Sequence, residues 1–230
     1  FSLLFNKINA DKRSCVLAVW CLGAQQFQAN QLTPYLRQIF ESLNLALKNP
    51  FHSQNAVSEV IKTLSNLFAR IGEDDILKYS EYWMIEVVKN ALNNQLPAHE
   101  RAKQFINENT TIQKLLQLDN EGDKTRAKIP PSLIVKLSSI FNELPESTPF
   151  SIWKLICVLA IPADISSNHV NLLAQLWKRY YAQDLITAMD GWRYLIQGLS
   201  SNLSKPRINF LLKPLSNIFD KHSDDCTIVV

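Results

Sequence analysis

Apolar residues along this chain recur every three to four positions rather than every two, the spacing of one face of an α-helix. Val16, Val19, Trp20, Gly23 and Phe27 form the first such stripe, and Leu32, Leu36, Ile39, Phe40, Leu43 and Leu47 the second. A third runs through Val57, Val60, Ile61, Leu64, Leu67, Phe68 and Ile71, with Gly72 placed to stop a helix. The fourth, through Ile76, Tyr79, Trp83, Val87 and Leu92, closes before Pro97, and a more polar fifth covers residues 98–118. A charged stretch, "DNEGDKTRAKIPP" at residues 119–131, reads as a linker. Beyond it the pattern resumes over residues 133–144, 150–161, 170–181, 185–199 and 208–219. Pro34, Pro131 with Ser132, and the run from Ser147 to Pro149 mark helix starts, because proline suits a first turn and hydroxyl side chains suit a cap. Pro214 falls inside the last stripe and predicts a kink or an end there.

These stripes predict an all-α chain of about ten helices with short connections and no strand alternation. Helix pairs return at roughly 40-residue intervals, the period of HEAT and armadillo units, whose open apolar faces are covered only by stacking on a neighbour. The expectation is an irregular HEAT/armadillo-like α-solenoid, residues 1–230 forming a single helical-repeat segment with an internal break at 119–131. An irregular helical bundle is the alternative. Phe1 is not an initiator methionine and the chain starts in the middle of a pattern, so an excerpt of a longer protein is expected.

Composition reinforces the helical reading. Only 5 of 230 residues are glycine, leaving few positions for the positive φ angles that hairpins and phosphate-binding loops require. With 47% apolar and 20% charged residues the chain has the balance of a folded protein. No apolar run reaches the ~18 residues of a membrane span, so no membrane partner is expected. The four cysteines lack regular close spacing, which suggests a reducing compartment.

Candidate chemistry changes this picture little. Cys15 and Cys21, inside "KRSCVLAVWCLGAQQF", are rotated roughly 120° apart on a helix and cannot share a metal or a disulfide without breaking it. They read as small core residues, as does Cys157. The histidines, at 52, 99, 169 and 222, have no Cys or His at ligand spacing. No phosphate loop, zincin helix or nucleophile elbow is present, and "DNEGDK" lacks the glycine and glutamate positions of a calcium loop. Glu73, Asp74 and Asp75 sit where acids favour a helix start. Neither an enzyme nor a cofactor is expected. "RINF" at residues 207–210 fits the basic-aliphatic-x-aromatic motif that docks partners on type-one protein phosphatase, but it lies in a helical stripe and reads first as core. The final "TIVV" has the form of a PDZ ligand.

The net charge is only +3, yet basic residues gather in the second half: Lys124, Arg126 and Lys128, then Lys178 and Arg179, Arg193, Lys205 and Arg207. Aligned along one side of a solenoid they would form a stripe able to neutralise phosphates. Arg193 stands between Trp192 and Tyr194, and Lys178-Arg179 between Trp177 and Tyr180. Taken singly, those aromatics read as core.

Four blocks carry a family resemblance. "LAVWCLGAQQF" at 17–27 has Val19-Trp20 followed by Gln25-Gln26-Phe27; "IWKLICVLA" stands at 152–160, "GWRYLIQGL" at 191–199 and "RINFLLKPL" at 207–215. In this order they resemble the N-terminal repeat region of the Rif family of telomere-associated replication-timing factors. Residues 104–131 carry no such match. The resemblance implies an irregular HEAT-like array in the nucleus, on chromosomes and telomeres. It would act as a scaffold in telomere length regulation, replication timing, the cell cycle and double-strand-break repair. It also implies DNA and telomere or chromatin proteins as partners, with type-one protein phosphatase engaged through segments outside this chain. Oligomerisation is compatible with such a scaffold. DNA would be held by its backbone, without sequence readout. The alternative is a HEAT- or armadillo-type protein–protein adaptor in transport or trafficking.

Overall fold

A computed structural model describes residues 27–48, 54–96, 98–117, 119–141, 143–145 and 147–159, together with residues 186, 189, 192, 193 and 209. The described part is all-helical. In order come α1 (Ala29–Leu32), a 3-10 turn (Thr33–Tyr35), α2 (Leu36–Lys48), α3 (Gln54–Phe68), α4 (Glu73–Lys78) and α5 (Ser80–Leu92). There follow α6 (His99–Glu108), α7 (Thr110–Leu115), α8 (Asn120–Arg126), α9 (Pro131–Phe141) and α10 (Phe150–Leu159). Pro34 is the second residue of the 3-10 turn, Pro131 opens α9, and the Pro149 carbonyl accepts the N–H groups of Ile152 and Trp153 at the start of α10. These starts agree with the sequence, since proline has no N–H to leave unsatisfied.

Packing is organised in pairs. α2 packs on α3, α5 on α6, and α9 on α10. Between pairs, α5 contacts both α2 and α9, while α6 contacts both α3 and α10, so the first and second members of the pairs form two layers. At the centre lies α5, on which residues 83 to 88 are all buried. A helix apolar on nearly every side is one surrounded by others, and α5 touches α2, α4, α6, α9 and α10. Phe68 of α3 anchors the middle, its ring 4.9 Å from Trp83, 5.6 Å from Phe105 and 6.2 Å from Phe40. Aromatic edges directed at aromatic faces bury large areas and also fix orientation.

Several boundaries differ from the sequence pattern. The stripe at 76–92 is two helices, broken at Tyr79, whose ring stacks 5.4 Å from Phe40. Trp83 Nε1 donates to the Ile76 carbonyl at 3.2 Å and Ser80 Oγ to the Leu77 carbonyl at 2.6 Å, satisfying groups the break releases. The stripe at 98–118 is likewise split at Asn109, whose side chain accepts from the Ile112 N–H at 3.0 Å. Gly72, expected to close α3, instead precedes α4 with φ −70° and is not left-handed. The stretch expected as a linker carries α8, started by Asp119 accepting from the Gly122 N–H at 2.9 Å. Charge masked this helix in the sequence: its buried side is only Gly122 and Thr125, too small to register as an apolar stripe. The helices expected over 170–181, 185–199 and 208–219, the opening cysteines, "RINF" and "TIVV" lie outside the described residues apart from isolated helical positions.

Candidate nucleic-acid interface

Each of the three basic residues of residues 119–131 meets an acid of this chain. Lys124 pairs with Glu121 at 2.7 Å, and that contact, chiefly its hydrogen bond, holds the ammonium above its ordinary range. Lys128 reaches back to Asp74 in the first turn of α4 at 2.7 Å and is raised for the same reason. Beside it, Lys114 of α7 pairs with Glu73. The acidic start of α4 therefore anchors α7 and the turn after α8, in addition to favouring its own helix dipole.

Arg126 is of another kind. Its side chain is only 13% exposed. Nη1 donates to the carbonyls of Leu115 at 2.7 Å and Gln117 at 2.6 Å, and Nη2 to Asp123. The Leu115 carbonyl is one that the end of α7 leaves without a helical partner, and the Gln117 carbonyl belongs to the turn just after it, so Arg126 caps one helix from the next. Such close approach needs a residue without a side chain: a Cβ on Gly122 would stand 2.0 Å from the Gln117 oxygen. Arg193 is exposed and its neighbour Trp192 is buried, so that aromatic belongs to the core. Lys178, Arg179, Lys205 and Arg207 lie outside the described residues.

The structure also assembles a cationic cleft that the sequence did not single out. It measures about 540 Å³ and lies between α6 and the start of α10, with His99, Lys103 and Asn107 on one side and Ser151 and Lys154 on the other. The spacing of His99, Lys103 and Asn107, four residues apart, aligns them on one helix face; that spacing was the available signal. His99 Nδ1 is buried without a hydrogen-bond partner. Lys154 Nζ lies 5.1 Å from the centre of the Phe150 ring. Glu100 points outward at the rim, accepting from Lys103 at 3.0 Å, which holds its carboxyl below the usual range.

A second depression, about 720 Å³, runs between α2, α5 and α9. Glu41, Glu81 and Glu86 alternate there with Lys48, Lys89 and Lys136, over the apolar Ile85 and Ile140. Asn44 Oδ1 is buried there without a partner. Among the described residues no group of three His, Cys, Asp or Glu could hold a metal, and no helix is long and apolar enough to cross a membrane. Cys157 is fully buried, and desolvation pushes its thiol far above the ordinary range, which suppresses thiolate chemistry.

No protein-family model matches the chain. No solved structure matches it either. The chain is 24% identical over 225 residues to Telomere-associated protein RIF1 of Mus musculus, an alignment covering 91% of this chain. It spans about 9% of the length of that relative. What the comparison supports is a distant, Rif-like relationship to one segment of a much longer protein.

Proposed function

We propose that this chain is a non-enzymatic segment of a nuclear helical scaffold of the Rif type, holding DNA by its backbone in telomere maintenance, replication timing and break repair. The observation that carries this reading is the similarity to RIF1 across 91% of the chain. The layered pairs support an irregular HEAT-like solenoid: α2, α5 and α9 stack as one row and α3, α6 and α10 as the other. Each pair then covers the open face of the next, the stacking that defines such arrays. Pairs begin at Leu36, Ser80 and Pro131, wider apart than the roughly 40-residue repeat because α4, α7 and α8 are inserted between them. Backbone binding would be electrostatic and steeply salt-dependent.

Titration of the chain with a short mixed-sequence duplex at about 50 and 200 mM salt tests this, since affinity must fall steeply between them. Absence of binding at the lower salt would defeat the DNA reading for this segment. The adaptor reading would then gain, because the depression between α2, α5 and α9 exposes Leu45 (54%) beside paired charges and offers a partly apolar surface.

A further inference from the structure

We infer that the cleft between α6 and α10, rather than the basic residues of residues 119–131, receives a phosphate of the DNA backbone; this rests on the DNA-binding reading above. Two ammonium groups and an imidazole converge on it: Lys103 and His99 from α6, Lys154 from α10. No carboxylate lines it among the described residues. Neutral donors complete the walls, Asn94 and Asn107 with Ser147 and Ser151, suited to the remaining phosphate and sugar oxygens. Ser151 belongs to the first turn of α10, where the peptide dipoles also favour negative charge.

An anionic oxygen already occupies the approach. The Glu100 carboxylate lies 3.0 Å from Lys103 Nζ and 3.6 Å from His99 Nε2. Its side chain is 80% exposed and outside the cleft lining, so it can swing away when a phosphate oxygen takes over those contacts. His99 has Nε2 3.6 Å from this carboxylate and Nδ1 buried without a partner, so a phosphate oxygen in place of the carboxylate would meet the Nε2 edge of the ring. Two of the cations of residues 119–131 instead join separate elements of the fold. Arg126 is bound to two backbone carbonyls and Asp123, and Lys128 is held by Asp74. A phosphate reaching them must first break a contact between helices.

The test is duplex titration of the full chain by fluorescence anisotropy, with folding of every variant checked by circular dichroism. Lys103→Gln/Lys154→Gln should lower affinity about tenfold or more and reduce the salt slope by about 1, for the one phosphate that the cleft no longer neutralises. Lys124→Gln/Lys128→Gln should change affinity less than about threefold, and Glu100→Gln should raise it by about twofold to fivefold. If wild type binds and the cleft variant binds equally well, the cleft assignment is overturned while the DNA reading survives. Weakened binding confined to Lys124→Gln/Lys128→Gln overturns it too. If wild type itself fails to bind at low salt, both fall together.

Discussion

Arg126→Ala removes a guanidinium that ties the end of α7 to α8, and its effect can be worked out bond by bond. Nη1 donates to the Leu115 carbonyl at 2.7 Å and to the Gln117 carbonyl at 2.6 Å, while Nη2 reaches Asp123. Hydrogen bonds from a charged donor contribute about 1.5–3 kcal/mol each when both groups are withdrawn from water. The Gln117 carbonyl is at the surface and regains water when the arginine is removed, and the pairing with Asp123, 59% exposed, adds little. The part-buried Leu115 carbonyl is the one left poorly solvated. The expected loss is therefore about 2–3 kcal/mol, a sizeable share of a domain's stability. Urea unfolding followed by far-ultraviolet circular dichroism reads it as a lower midpoint with an unchanged slope. Lys124→Ala is the control: its pairing is 70% and 73% exposed on the two sides and should leave the midpoint where it was. A midpoint for Arg126→Ala equal to wild type would refute the capping role. Charge reversal at Arg126 accordingly reports on folding and not on DNA contact.

Gly122→Ala should destabilise the same junction, because the new Cβ would meet the Gln117 oxygen at 2.0 Å and force the two turns apart; urea unfolding reads this as a lower midpoint, and an unchanged one contradicts the close approach. Phe68→Ala should cost about 3–5 kcal/mol in the same assay, since it empties the space between Phe40, Trp83 and Phe105. Cys157 should resist iodoacetamide in the native protein and react once urea is added, because burial raises its thiol and withholds the thiolate; peptide mapping that finds it alkylated without denaturant rejects this.

Helix type and most core residues were legible in the chain alone, because a helix that buries one face must repeat its apolar residues at that period. Leu36, Ile39, Phe40 and Leu43 are buried where the stripe put them. Starts marked by proline were legible too, as the ring itself sets the backbone angle and removes a donor. Boundaries inside continuous stripes were not. The break at Tyr79 stands where its ring meets Phe40, and that partner lies far away in sequence. At Asn109 a capping side chain was visible, yet the apolar period continued across it and concealed the split. The helix at Asn120–Arg126 was hidden because it is held by an Asp119 cap and by the Arg126 bonds to the end of α7 rather than by an apolar face.

Charge followed the same division. Sequence determined how many basic residues the chain carries and where they cluster, and even the local partners of Lys124 and Arg126, but an acid remote in sequence decides whether Lys128 is available. Asp74 lies 54 positions from Lys128 and holds it all the same. Lys154 stands far in sequence from His99 and Lys103, and only the packing of α10 on α6 places them on facing walls. Periodicity is a local property, so one chain states it; convergence of charge is a property of packing, and only the tertiary structure decides it.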